Sequence, residues 1–402
     1  MTGSGRTALV VGLGRSGRAA AKLLARRGWS VVAIDSGAVE ASELIALGVE
    51  VRAPSAEPVA GIDLVVKSPG VPGEAAPVAA ARAAGVPVWS EVELAARELP
   101  NALIGITGTN GKTTTTELTA HLLTSAGLPA EACGNQGRPV SAVEADPGAW
   151  LVVECSSFQL EDVDELHPRA AALLNISPDH LDRHGTFAAY REAKLRLFAR
   201  MGPGDLAICP QGMRVPGRSL PTFVVDGPVE DGAIAWSEGG LQVAGLGLIA
   251  EWGAISLRGR HNRCNAMVAT ALAARAGADA AGLARGLERF PGVAHRLERI
   301  RERAAVVYVN DSKATNPDAA AAALRTGHDL PRQILQRVDG LAVAADQVLG
   351  LGPLDHRAQR ALLALLHADV GVDAHPAHHR ADRALERECR IHTVHAHRRF
   401  PV

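Results

Sequence analysis

Ala102-Leu103-Ile104-Gly105-Ile106-Thr107-Gly108-Thr109-Asn110-Gly111-Lys112-Thr113-Thr114-Thr115 runs from an apolar strand through a glycine-rich turn into the polar opening of a helix. Glycines let backbone N–H groups close around phosphate oxygens, and a helix N-terminus adds a field that favours anions. Lys112 is placed to neutralise β- and γ-phosphates and the Thr113 hydroxyl to hold Mg²⁺, with Gly108, Thr109, Asn110, Gly111 and Thr114 completing the cradle. The spacing departs from G-x-x-x-x-G-K-[ST], because five residues separate Gly105 from Gly111. A bare Gly-Lys-Thr turn without ligand would need neither the strand before it nor the helix after it. The stretch therefore predicts an α/β domain organised by a phosphate-gripping loop, in a protein that uses ATP or a similar nucleotide.

Upstream, Thr7-Ala8-Leu9-Val10-Val11 leads into Gly12-Leu13-Gly14-Arg15-Ser16-Gly17 and an alanine-rich helix, and the strand Ser30–Ile34 ends at Asp35. A G-x-G-x-x-G turn followed by an acid at the next strand end is the dinucleotide-binding fingerprint. It fits NAD, another diphosphate, or a tight turn with no ligand. Ile62–Lys67 reads as a further strand closed by Ser68-Pro69-Gly70. Ligands of parallel sheets sit at the carboxyl ends of strands, so both loops are expected to line one crevice. Alternating strands and helices predict a doubly wound parallel sheet over residues 1–96.

Downstream, Trp150–Glu154 and Ala171–Ile176 read as strands of a second sheet, residues 202–258 as short strands, and the stretch from Asn262 to about Ala276 as a helix. A third segment opens near Leu297 with the strand Ala305–Val309. No internal sequence repeat is present. With 402 residues, two or three domains are expected. A net charge of -1 gives no reason to expect nucleic acid or an anionic membrane surface as partner. The five cysteines are scattered without a C-x-x-C pair, which fits a reduced compartment and signals neither a zinc site nor a disulfide framework. No apolar run approaches a membrane span, and no signal core is apparent at the start.

Glu154 ends an apolar strand near the phosphate loop, where a carboxylate either binds Mg²⁺ or is simply solvated. His180, in Asn175-Ile176-Ser177-Pro178-Asp179-His180-Leu181-Asp182-Arg183, is read as a ligand to a second metal ion or as a hydrogen-bonding histidine. Lys194, in Tyr190-Arg191-Glu192-Ala193-Lys194, reads on its own as a surface helix lysine.

Taken together, Gly105–Thr115, Glu154-Cys155-Ser156-Ser157-Phe158-Gln159-Leu160, Asn175–Arg183, Gly259-Arg260-His261-Asn262-Arg263-Cys264-Asn265-Ala266, His295-Arg296 and Asn310-Asp311-Ser312-Lys313-Ala314-Thr315-Asn316-Pro317 resemble the ATP-dependent Mur ligases of peptidoglycan synthesis. Gly12–Gly17, Ser68–Pro72 and Asn310–Asn316 point to the D-glutamate-adding branch. The likeness covers residues 5 to 325 or so. It implies an α/β, three-domain architecture: an N-terminal Rossmann-like UDP domain over 1–96, a central P-loop ATPase domain over 97–295, and a C-terminal Rossmann-like, amino-acid-binding domain over 296–402 that is incomplete.

The same resemblance implies roles. Lys112, Glu154, His180 and Lys194 would be the catalytic group. Thr113, Glu154, His180 and a carbamylated Lys194 would hold two Mg²⁺ ions. Asn262, Asn265, Arg296 and Asp311 join the loop residues in binding ATP. Gly14, Arg15, Ser16, Asp35, Ser36, Ser68, Pro69, Gly70, Asn135, Lys313 and Thr315 fall on the substrate side, which makes the NAD-like fingerprint a UDP site. The implied reaction moves the γ-phosphate of ATP onto the carboxylate of UDP-N-acetylmuramoyl-L-alanine, and the D-glutamate amine then attacks the acyl phosphate. Closure of the domains is expected, to keep water from that intermediate. The implied protein is a cytoplasmic monomer that neither binds nucleic acid nor inserts in a membrane.

Beyond about residue 326 the texture changes. Nine of the fifteen histidines fall there, and neither serine nor lysine occurs after Lys313. The family's third domain continues with a glycine-lysine loop and a serine-containing motif for D-glutamate, which this tail has no residues to supply. The stretch reads as a frame-shifted, replaced or disordered tail, with His375, His378 and His379 as a metal-binding alternative. Three rival functions follow: another Mur ligase or a folylpolyglutamate synthetase, the latter disfavoured by the N-terminal UDP-type sheet; a catalytically impaired nucleotide-binding remnant; and an NAD-dependent oxidoreductase that leaves Gly105–Thr115 unexplained.

Overall fold

A computed structural model of the chain describes residues 5–37, 39–53, 61–210, 213, 215, 234–237, 239–243, 245–303, 306–314 and 333–335. The first strand, β1 (Thr7–Val11), is followed by α1 (Arg15–Arg26), β2 (Ser30–Ile34), α2 (Ser42–Ala46), β3 (Glu50–Arg52), β4 (Leu64–Lys67), α3 (Ala76–Ala83), β5 (Val88–Ser90) and α4 (Glu91–Glu98). The five strands form one parallel sheet in the order β3-β2-β1-β4-β5. Chain order reverses at β1, so a crevice opens between the loops after β1 and β4, as the two glycine turns implied. The sheet is sandwiched by helices, which is why β1, β2 and β4 are continuous aliphatic runs instead of alternating ones.

A second five-stranded parallel sheet is built from β6 (Leu103–Thr107), β7 (Ala130–Gly134), β8 (Trp150–Glu154), β9 (Ala170–Leu173) and β10 (Leu206–Ile208), in the order β10-β9-β6-β8-β7. The strand that feeds the phosphate loop is thus central and buried along its whole length. Between these strands lie α5 (Lys112–Ser125), α6 (Ser157–Leu160), α7 (Leu181–His184) and α8 (Phe187–Leu195). Three antiparallel strands follow, β11 (Ile234–Ser237), β12 (Gly240–Val243) and β13 (Gly247–Ala250), and then the helices α9 (Arg260–Arg275) and α10 (Ala280–Arg289). Glu298–Arg303 (β14), Val306–Asn310 (β15) and Gln333–Leu335 (β16) make a three-stranded mixed sheet.

The chain divides into two compact units, residues up to 256 with 264–290, and 257–263 with residues from 291 onward. Both parallel sheets lie in the first. Expected strand limits shift: that expected over Ala305–Val309 runs Val306–Asn310. The strand expected from Ile62 starts at Leu64, and that expected over Ala171–Ile176 ends at Leu173, since Asn175 turns away to bond the phosphate loop. No described helix is long and apolar enough to cross a membrane. The histidine-rich tail, including His375, His378 and His379, lies outside the described residues, as does Thr315.

Candidate active site

Gly111 is the N-cap of α5 at φ 86°, and a Cβ there would meet Asn265 Oδ1 at 2.5 Å. Both conformation and space therefore require glycine at this point of the loop. No side chain caps α5 and its first turn carries no acid, which leaves the positive helix end to an incoming anion. The loop is stitched to the segment after β9. Asn110 N–H donates to Asn175 Oδ1 at 2.8 Å, Asn175 Nδ2 donates to the Asn110 carbonyl at 2.9 Å, and Thr109 N–H donates to the Asn175 carbonyl at 3.1 Å. The Thr109 hydroxyl meets Tyr190 Oη at 3.0 Å. Asn175 and Tyr190 were absent from the candidates assigned from sequence. Both lie in quoted motifs, but only the fold shows that they hold the loop.

Two amines converge on the loop. Lys112 Nζ donates to the Gly108 and Thr109 carbonyls at 2.9 and 2.8 Å. Lys194 Nζ donates to the same Gly108 carbonyl at 2.9 Å and lies 4.7 Å from the Tyr190 ring centroid. Lys194 is not on the surface: it is 2% exposed, because α8 buries the face that carries Tyr190, Ala193 and Lys194. Burial, with Lys112 as a second cation nearby, pulls its amine down to about 7.

Glu154 is buried as well, which excludes the solvated strand-end reading. Its Oε1 accepts from Asn135 Nδ2 at 2.9 Å, and its Oε2 is buried without a hydrogen-bond partner. A carboxylate oxygen left so in the interior fits a cation. Among the described residues no three His, Cys, Asp or Glu side chains form a ready-made metal cage. A hard divalent ion held by this oxygen would take its other ligands from further oxygen donors and water. His180 caps α7 at φ 51°, half exposed, its ring 5.0 Å from Phe158 and 6.4 Å from Tyr190. Cys155, beside Glu154, is pushed up to about 12 by burial and is no nucleophile.

On the first sheet, Asp35 spends its carboxylate on the turn. Oδ2 accepts from Leu13 N–H at 2.5 Å and Oδ1 from Gly37 N–H at 2.8 Å, and the Leu13 bond leads in holding it below the usual carboxylate range. Ser68 Oγ donates to the Gly12 carbonyl at 2.8 Å. Gly14, Arg15, Ser36 and Gly70 are exposed around this crevice, with Ser16 and Pro69 half-buried. Arg15 Nη1 donates to the Gly137 carbonyl at 3.2 Å, two residues from Asn135. The glycine turn of the first sheet, the Asn135 loop and Glu154 are thereby joined in one line, and Glu154 ends the strand beside the one that feeds the phosphate loop.

In the second unit, Asp311 is buried and accepts from Leu297 N–H at 3.1 Å. Burial pushes its carboxyl up to about 6 against the pull of Arg296, whose charge, together with burial, also takes His261 down to about 4. Asn262 Nδ2 donates to the Arg258 carbonyl at 2.9 Å, and Lys313 N–H donates to the His295 carbonyl at 3.2 Å. Arg296 and Asp311 are thus neighbours, with Asn262 and Lys313 held by backbone contacts of the same unit.

Residues 106–215 match the Mur ligase middle domain, and residues 6–90 match the Mur ligase MurD-like N-terminal domain. The UDP-N-acetylmuramoylalanine–D-glutamate ligase of Myxococcus xanthus is 44% identical over 347 residues, covering 80% of this chain and 76% of the relative. That of Solibacter usitatus is 40% identical over 370 residues, covering 89% and 82%. Among solved structures, the UDP-N-acetylmuramoylalanyl-D-glutamyl-2,6-diaminopimelate–D-alanyl-D-alanyl ligase of Acinetobacter baumannii superposes with a TM-score of 0.51 at 18% identity, covering 87% of this chain and 79% of that one. The latter likeness is one of fold.

Proposed function

The chain belongs to the Mur ligase family, and we propose that it is the ATP-dependent ligase that adds D-glutamate to UDP-N-acetylmuramoyl-L-alanine, through an acyl phosphate, in peptidoglycan precursor synthesis. The observation that carries this reading is Glu154. One of its oxygens is held by Asn135, whose loop accepts from Arg15 of the first sheet, and the other faces the interior unpaired. One carboxylate thus joins a diphosphate-type crevice to the strand that pairs with the one feeding the phosphate loop, as suits a reaction between a nucleotide-sugar acid and ATP.

In this reading the turn Gly12–Gly17 with Ser68–Gly70 seats the uridine diphosphate, and Asn135 lies along the muramoyl portion. Gly108–Thr114 cradles the ATP phosphates, Asn265 backs the loop at Gly111, and Asn262, Arg296 and Asp311 belong to the nucleotide side. Thr113, Glu154 and His180 would hold Mg²⁺, which offsets the charge of two anionic reactants when bound. Lys112 adds a fixed positive charge at the loop. Lys194, with a depressed amine, is neutral often enough near pH 7 to add CO₂, and the carbamate would convert a buried cation into an acidic ligand at a second ion. The protein acts as a monomer in the cytoplasm.

The test is phosphate release from ATP with UDP-N-acetylmuramoyl-L-alanine, with and without D-glutamate. Release that needs both substrates is expected. Release indifferent to either, or NADH binding in its place, would remove the ligase reading.

A further inference from the structure

Arg183 stands where three segments of the first unit meet, and the phosphate-side chemistry has no use for it. Its Nη2 donates to the Val71 carbonyl at 2.9 Å and to Glu161 Oε2 at 3.0 Å, and its guanidinium lies 5.1 Å from the Phe158 ring centroid. Phe158 in turn meets the ring of His180 at 5.0 Å and stacks on His184 at 5.4 Å. Lys67, 1% exposed, approaches the same two acceptors, with Nζ at 3.2 Å from each and 3.0 Å from Asp162 Oδ2. Buried ion pairs add little net stability, since lost hydration offsets the attraction. Two cations converging on one backbone carbonyl therefore call for another reason.

Val71 supplies it. Its N–H closes the turn onto the Ser68 carbonyl at 3.0 Å, and a Cβ on Gly12 would stand 2.8 Å from Val71 Cγ2. Ser68 also bonds the Gly12 carbonyl, so the turn Ser68–Val71 forms one wall of the crevice beside the first glycine turn. Fixing the Val71 carbonyl fixes that wall. Arg183 reaches it from the segment that carries His180, so it braces the acceptor side against the phosphate side.

We propose that Arg183 is a positioning residue for the nucleotide-sugar acceptor, holding the Ser68–Val71 wall in register with the phosphate loop without touching the substrate. The inference rests on the ligase reading. Its test is calorimetric titration of the full chain with UDP-N-acetylmuramoyl-L-alanine and, separately, with a non-hydrolysable ATP analogue.

Arg183→Ala is expected to weaken the nucleotide-sugar by about tenfold or more, as befits a lost charge-assisted contact at an ordered wall, and to change the ATP analogue by less than about twofold. Arg183→Lys keeps a cation but loses the planar fork and the Phe158 ring contact, so its affinity for the nucleotide-sugar should fall between those of the alanine variant and the wild type. Should the alanine variant not fold, Arg183→Gln is expected to show the same split. Unchanged nucleotide-sugar affinity, or equal loss for both ligands, would overturn the proposal. A wild-type chain that binds no nucleotide-sugar would instead overturn the ligase reading, and this inference with it.

Discussion

Lys194 makes the heaviest single demand in the site, because an ammonium is held in the interior with only carbonyl, ring and distant carboxylate compensation. Its amine falls from 10.5 to about 7, so between those values the unfolded chain binds the proton that the folded chain lacks. Stability contributed through this group therefore rises with pH across that window and is lowest below about 7. Lys194→Met should abolish D-glutamate-dependent phosphate release yet melt higher than the wild type at pH 7, and the gap should narrow as pH rises toward 10, read by thermal unfolding at several pH values. Glu154→Gln should lower the same activity by about 10²–10³-fold, in line with removal of a group that stabilises developing charge, without a fall in melting temperature. Neither demand was legible in composition. Lys194 alone reads as a surface lysine, since burial of its face of α8 is decided by Tyr190 reaching Thr109, some eighty positions away in the chain.

Elements carry the geometry that these residues need. Gly111→Ala would place a side chain in the left-handed region, which costs about 1–2 kcal/mol, and 2.5 Å from Asn265. Affinity for the ATP analogue should fall more than about tenfold. The helix α4 is locked by Glu93, whose buried carboxylate accepts from the N–H groups of Asp164, Glu165 and Leu166 at 3.0, 2.9 and 3.0 Å. Glu93→Ala orphans these donors and should destabilise the chain by about 3 kcal/mol or more, measured by urea unfolding. Strand existence was legible from aliphatic runs, and β1, β2 and β8 fall where expected, because a strand buried on both faces leaves no other reading for so short a run. Strand ends were less so. At Asn175 a side-chain bond to Asn110 takes the backbone out of the sheet, and local pattern carries no trace of that partner.

Across the molecule, function depends on two parallel sheets being held in one unit. Ser90 N–H donates to the Asp162 carbonyl, Lys67 and Arg82 both pair with Asp162, and Glu91 accepts from the Ser141 backbone and hydroxyl at 2.6 Å. A cavity of about 550 Å³ opens at this junction, lined by residues that include Arg82, Asp162, Arg183 and Glu192. The two glycine turns are legible separately in the sequence, whereas their connection through Arg15, Asn135 and Glu154 is a property of the fold.

The measurement that bears most directly on the ligase reading follows oxygen-18 placed in the carboxylate of UDP-N-acetylmuramoyl-L-alanine. Passage through an acyl phosphate, followed by attack of the D-glutamate amine, should deliver one labelled oxygen to the released phosphate and leave the other in the amide. Amide formed alongside unlabelled phosphate would contradict it.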